Sequence, residues 1–254
     1  MIREDFLYLI KTQARRRRLR RRLGLRMTAV PVCQSSGFPI ASEGAHVRHN
    51  GDTRSQAEWR VLLDDFGFRH TYSVEVDPAF PGDGEWDCVT VGLNAEGAPT
   101  EFLDSRWGVP VVLRVIPQDG EDWVLSLSGG NGLTNLRGIY ATPRPEEFLA
   151  VVDGAALLVR ADDSASARSL GLMATQVLGI DEPQPVLLIN RNISAAAIDA
   201  GGVRWQTQRL CWDDLTIERV IGEEVHCSGE FIPRSSFVLD LRSGVQLSGP
   251  RYAQ

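Results

Sequence analysis

The sequence predicts an all-β protein, propeller-like with short four-stranded blades, with a β-sandwich as the alternative. Three observations carry this expectation. From Thr71 onward, apolar and β-branched runs of about four to eight residues alternate with turn residues. Helical periodicity is confined to two short stretches. Three segments of the second half resemble one another at a spacing of roughly 40 residues, the length of one propeller blade. Glycine (24) and proline (13) supply frequent turns in a chain of 254 residues and argue against a coiled coil or a helical bundle.

The elements follow in order. Residues 71–76 alternate and stop at Asp77-Pro78. A strand over 87–91 follows the turn Pro81-Gly82-Asp83-Gly84, and one over 109–116 ends at Pro117. Asp119-Gly120 then turns the chain into 123–127. The loop Gly129-Gly130-Asn131-Gly132 precedes strands at 139–142, 148–152 and 155–159. The last two are joined by Asp153-Gly154, a pair suited to the positive φ angles of a type I′ hairpin. Strands at 173–178, 186–190, 195–199, 203–207, 215–220, 225–228, 237–241 and 245–247 complete the run. In 54–66, Trp59, Leu62, Leu63 and Phe66 stand at helical spacing between a capping Asp52 and a terminating Gly67. A strand over 59–63 fits equally well. The alanine- and serine-rich stretch 164–172 is the second helical candidate.

The repeat rests on 151–162, 194–205 and 236–247. In the last two, an apolar strand ends in Asp, turns through Gly and resumes on an apolar residue; Asp199 and Asp240 lie 41 residues apart. The first segment matches when Val159 is set on Ile198, 39 residues away. Residues 87–99 read as an earlier hairpin of the same kind, turning at 94–97. The run Val203-Arg204-Trp205-Gln206-Thr207-Gln208-Arg209-Leu210, with Asp213-Asp214-Leu215, Val238-Leu239-Asp240 and Ser243-Gly244, resembles the C-terminal part of a group of uncharacterised bacterial β-rich proteins. The resemblance covers the last third to half of the chain. It implies a propeller-like β structure and no activity, substrate or catalytic residue. WD and kelch signatures are absent from the sequence.

Charge divides the chain. Residues 1–27 hold ten basic residues against two acidic ones, whereas the remainder holds 17 basic against 31 acidic, a net −14. Lys11 is the only lysine, which reads as coding bias rather than function. The expected organisation is a basic leader (1–27), an irregular or helical lead-in (28–70) and a β domain (71–254). The leader reads as a disordered tail or as sequence ahead of a true start at Met27. Its short apolar run precedes its arginines, the reverse of a signal peptide. No stretch of about 18 apolar residues exists, so no membrane span is expected. Four scattered cysteines without a CxxC, and no secretory signal, make a reducing cytoplasm the expected compartment.

Chemistry-bearing motifs are sparse. His46 and His49 lie in a glycine-rich polar loop rather than at metal-ligand spacing. His226 and Cys227 are neighbours in a strand and point to opposite faces, so they cannot act as a base and nucleophile pair. The acidic doublets Asp64-Asp65, Glu146-Glu147, Asp162-Asp163, Asp213-Asp214 and Glu223-Glu224 read as turn caps and solvated surface. Pro78 and Pro81 break the calcium-loop spacing of 77–85. Gly129-Gly130-Asn131-Gly132 lacks the Gly-Lys-Ser/Thr ending of a phosphate loop. No cofactor and no metal is expected. Trp123 and Trp205 sit inside apolar alternation and read as core, while Trp86 and Trp107, beside turn glycines, are the candidate binding surface. The expected function is non-enzymatic: a cytoplasmic β-protein whose acidic body suits a basic protein partner, as in an immunity-type pairing with a toxin. One alternative is a hydrolase or lyase with carboxylates at a propeller's central opening. Another is nucleic-acid binding through the leader alone.

Overall fold

The structure, a computed structural model, describes residues 63–251 apart from 83–84, 106–108, 130–133, 183 and 232. Among these residues all regular structure is β, with seventeen strands in four sheets and no helix. The expected leader (1–27) and most of the expected lead-in (28–70) lie outside the described residues.

β1 (Leu63–Asp64) is a two-residue strand where the 54–66 pattern allowed a helix. The next four strands form the first sheet. β2 (Tyr72–Val76), β3 (Val89–Leu93), β4 (Val111–Pro117) and β5 (Trp123–Leu127) lie in the order β2-β4-β5-β3. β3 joins β5 in parallel, whereas β2 with β4 and β4 with β5 are antiparallel. β4 alternates as its sequence demands, with Val111, Leu113 and Val115 turned inward. β5 is buried throughout because the 100–105 segment straps its outer face. There the Leu103 N–H donates to Ser126 Oγ at 3.1 Å, and Ser128 Oγ donates to the Asp104 carbonyl at 2.9 Å. Gly92 makes the strap possible, since a Cβ there would stand 2.6 Å from the Thr100 carbonyl oxygen.

The second sheet is a meander of β6 (Gly138–Ala141), β7 (Glu147–Val152), β8 (Ala155–Arg160) and β9 (Arg168–Met173). β1 adds to its edge in parallel with β6, giving five strands rather than four. Asp153 (φ 48°) and Gly154 (φ 85°) close the β7–β8 hairpin with both residues left-handed, as the Asp-Gly pair predicts. β9 replaces the helix expected over 164–172. Asp163 caps the N–H of Ala165 and Ser166 Oγ accepts the N–H of Arg160, so the turn closes and returns the chain along β8.

The third sheet is the meander β10 (Gln176–Ile180), β11 (Val186–Asn190), β12 (Ala195–Asp199) and β13 (Gly202–Gln206). The fourth is β14 (Asp213–Ile221), β15 (Glu224–Glu230), β16 (Ser235–Asp240) and β17 (Gln246–Ser248). The repeat read in sequence falls on the third strand of three successive meanders: β8, β12 and β16.

Three apolar cores lie between successive sheets. Leu113, Val115, Leu125 and Leu127 of the first sheet pack on Phe148, Ala150 and Val159 of the second. Leu149, Val151 and Leu158 pack on Leu187, Ile189 and Ile198 of the third. Leu188, Ala197 and Trp205 pack on Ile217, Val225, Cys227, Phe237 and Leu239 of the fourth. The two middle sheets are therefore covered on both faces, which explains the unbroken burial of β7 and β11 and their continuous apolar runs. Among the described residues no apolar cluster joins the first sheet to the fourth, so no closed ring of sheets is formed. Nor is this the two-layer arrangement of a sandwich.

Each seam carries the same polar stitch. The carbonyl one residue past the third strand, or its equivalent in the repeat, accepts a side-chain N–H from the preceding sheet. Trp123 Nε1 donates to Ala161 O at 2.8 Å, Arg144 Nε to Ala200 O at 3.1 Å, and Trp205 Nε1 to Leu241 O at 2.8 Å. Trp123 and Trp205 are thus core residues, as expected, and each satisfies its indole N–H across a seam. The third seam is tied further by Gln176 and Asn190. Gln176 Nε2 donates to Ile217 O at 3.0 Å, and Asn190 Nδ2 donates to Leu215 O at 2.5 Å.

The second seam also depends on a missing side chain. A Cβ on Gly179 would stand 2.2 Å from the Phe66 ring, which stacks on Tyr140 at 5.8 Å. Gly179→Ala is expected to lower stability by about 1–3 kcal/mol, the usual cost of overpacking. Urea denaturation of the variant measures this, and an unchanged midpoint would mean the ring is free to move.

Candidate functional site

The acidic charge is concentrated on the first sheet. Residues 72–128 hold eleven acidic residues and two basic ones, whereas 129–254 hold fifteen acidic and eleven basic. Eight of the eleven are exposed, among them Glu75, Asp77, Asp87, Glu96, Glu101 and Glu121. Arg114 is the one described base of this stretch, and Asp122 ties it through its Nε at 2.6 Å. On the other sheets several arginines pair with carboxylates, whereas Arg191 and Arg209 donate to backbone carbonyls. Arg137 meets Asp153 at 2.7 Å, Arg160 meets Asp162 at 2.7 Å and Arg234 meets Asp214 at 2.7 Å. Arg204 stands 3.7 Å from Asp199, and Arg242 pairs with Glu223. The net charge is −9 over 72–128 (2 − 11) and −4 over 129–254 (11 − 15), so the negative field is strongest at the first sheet.

Aromatic surface lies on the same sheet. Trp86 is half-buried in the loop that leads into β3, with Phe80 edge-on at a centroid distance of 5.5 Å. Phe80 is 51% exposed, and Val89, the first residue of β3, is 55% exposed. The Trp86 indole N–H is covered and has no acceptor among the described residues. An unsatisfied buried donor is costly and uncommon. Trp107, the other expected surface tryptophan, lies outside the described residues. Phe80 was not among the sequence candidates. Its signal is faint, an aromatic between Pro78 and Pro81, where the chain leaves β2 and cannot return to a ladder.

Most acidic doublets do what their positions predict. Asp64 and Asp65 cap the N–H groups of Phe66 and Gly67. Asp213 accepts from Asn192 Nδ2 at 2.7 Å. Glu147 departs from this pattern. It opens β7 in phase with Leu149 and Val151, and it is 3% exposed. Its Oε2 stands 3.8 Å from Arg144 Nη1 and 3.7 Å from Arg168 Nη2, while Oε1 has no hydrogen-bond partner. Burial pushes its pKa above the ordinary carboxylate range, and the Arg168 and Arg144 guanidinium groups oppose the shift without cancelling it. The apolar run 148–152 held the clue: a strand covered on both faces buries whatever residue begins it.

The three thiols among the described residues all have raised pKa values. Burial pushes Cys211 up to about 11 and Cys227 up to about 12. Burial and the nearby Asp122 and Asp87 also raise Cys88. Cys227 is buried, as expected beside His226. A small pocket of about 160 Å³ opens at the third seam, lined by Gln184, Val186, Arg204, Glu223, Leu241 and Arg242. Its charged groups are already in ion pairs, and it contains one carboxylate. Among the described residues no group of three metal-ligating side chains converges. His46 and His49 lie outside the described residues. No helix among those residues is long and apolar enough to cross a membrane.

Two measurements test this geometry. Trp86→Phe keeps the ring against Phe80 and removes an unsatisfied donor, so stability is expected to hold or to rise by up to about 1 kcal/mol. Trp86→Ala, which loses the ring contact, is expected to be the less stable of the two in urea. For Glu147, a raised folded-state pKa means that protonation favours the fold. Its contribution is complete below the unfolded carboxylate pKa and is lost as pH rises through the folded value. Glu147→Gln is therefore expected to gain on the wild type in thermal stability as pH rises from about 4 to about 7. A difference independent of pH would contradict the buried charge.

Comparisons of the chain with protein-family models, with curated proteins and with solved structures return no match.

Proposed function

We propose that the protein is a binding module whose first sheet docks a basic protein partner. One observation carries the reading: exposed carboxylates without a matching set of arginines share a single sheet with an aromatic pair, exposed Phe80 and half-buried Trp86. Aromatic rings supply contact area, and the carboxylate field steers an oppositely charged partner and selects against acidic ones. Pairing with a basic toxin, in the manner of an immunity protein, is the specific form of this reading. The cytoplasm is the proposed compartment.

The remaining sheets serve as a scaffold in this reading. We infer that they are blades of a propeller-like stack. Three successive four-stranded meanders, a repeat of about 40 residues and the recurring stitch support that reading.

Capture of partners from native lysate at about 50 mM and about 500 mM salt tests the proposal. A partner is expected that elutes at the higher salt. It is expected to be lost by a variant carrying Glu75→Gln, Asp77→Asn, Phe80→Ser and Trp86→Ser. A control variant, Glu218→Gln with Glu224→Gln on the fourth sheet, is expected to retain it. Equal capture by both variants would overturn the assignment to the first sheet.

A further inference from the structure

Among the described residues, the first sheet ends in β3, whose outer edge is unpaired over a short stretch. In the β3–β5 ladder, the Leu93 carbonyl accepts from Ser128 N–H at 2.9 Å. Leu93 therefore turns its backbone groups toward β5, and parallel pairing alternates, so Val91 and Val89 do the same. Gly92 and Thr90 turn theirs away. The Gly92 carbonyl is met by the Thr100 N–H at 2.9 Å, where the strap crosses. Thr90 has no such neighbour: nothing among the described residues pairs with its outward N–H and C=O, and its side chain is exposed. No proline or lysine blunts 88–91, the usual protection of an edge.

The surroundings specify what this edge suits. Asp87, Asp122 and Arg114 all lie close enough to act on Cys88, at the start of the open stretch; Arg114 pairs with Asp122, so Asp87 is the carboxylate there outside that pair. Glu121, exposed, sits in the turn that feeds β5. Val89, within the stretch, is exposed, and the Phe80–Trp86 pair lies just upstream in sequence. An extended segment lying along 88–91 would present alternate side chains to these two kinds of surface, arginine or lysine toward the carboxylates and an apolar residue toward Val89.

We propose that the edge of β3 at Cys88–Thr90 captures an extended basic segment of the partner by strand addition. This inference rests on the proposed function and adds the mode of recognition and the chemistry of the bound segment. Main-chain hydrogen bonds to Thr90 hold the segment in register, and the carboxylates select its charge.

The test uses the full chain and a labelled eight-residue peptide of alternating arginine and valine, measured by fluorescence anisotropy at about 50 mM salt. Thr90→Pro removes only an outward N–H and is compatible with an edge position. It is expected to weaken binding about tenfold, the effect of losing a hydrogen bond worth about 1.4 kcal/mol. The same peptide N-methylated at alternate residues is expected to lose at least as much against the unaltered protein. That arm keeps the test decisive if Thr90→Pro does not fold. The Thr90 amide is expected to gain hydrogen-exchange protection when the peptide binds. Unchanged affinity for the N-methylated peptides, methylated in either register, would overturn strand addition while leaving the acidic face as a charge-driven docking surface. Absence of binding by the peptide, together with absence of any salt-eluted partner from lysate, would overturn both.

Discussion

A main-chain carbonyl at the end of a strand is the point on which the sheets depend for their alignment. At every seam the residue just past the repeat's third strand offers its oxygen to a side-chain N–H from the sheet before: Ala161 to Trp123, Ala200 to Arg144, Leu241 to Trp205. Apolar burial between sheets is larger in energy but has no direction. A hydrogen bond contributes only about 1 kcal/mol net, yet it fixes where one sheet sits on the next. Two of the three donors are indoles, which fill the seam and orient it with the same side chain. The arginine at the middle seam holds the sheets beside Glu147, so that seam also holds a buried carboxyl group. Its carboxylate is thereby coupled to the position of the second sheet against the third.

Electrostatics follow from this layering. The middle sheets are covered on both faces, and Arg137, Arg160 and Arg204 pair with carboxylates of nearby turns. The first sheet has one neighbour and a strapped outer face. Its carboxylates stand on loops and edges where burial of a partner's charge costs least. On the proposed function, a first sheet more acidic than the scaffold behind it would concentrate recognition in one place.

Much of the strand pattern was legible because period-two alternation and turn chemistry are local properties. Residues 123–127, 186–190 and 195–199 coincide with strands, and Asp153-Gly154 adopts the backbone that its residue types favour. The repeat was legible because the same structural position recurs in three meanders. What stayed hidden is non-local. The apolar run 173–178 reads as one strand, but the chain passes from the second sheet to the third at Ala174–Thr175, where Ala174 N–H bonds back to Gly154 O and Thr175 N–H reaches Asn190 O. No residue type marks that crossing. The alanine-rich stretch 164–172 carries helix propensity that pairing with β8 overrides. Burial of Glu147 depends on a neighbouring sheet, and the open edge of β3 on where the strap happens to cross. Trp86 was readable as a half-exposed ring, whereas its unsatisfied indole N–H was not.

The succession of cores has a thermodynamic consequence. Where each layer touches only the next, stability approximates a sum of layer terms and nearest-neighbour terms, and fluctuations begin at the ends. Among the described residues, the second and third layers share apolar cores with two neighbours, while the first and fourth share one each. The acidic layer therefore has a lower local opening free energy than the layers behind it. A ligand seated there would suppress that end-fraying, and its binding free energy would register as rigidity in the terminal layer and hardly at all in the middle of the stack.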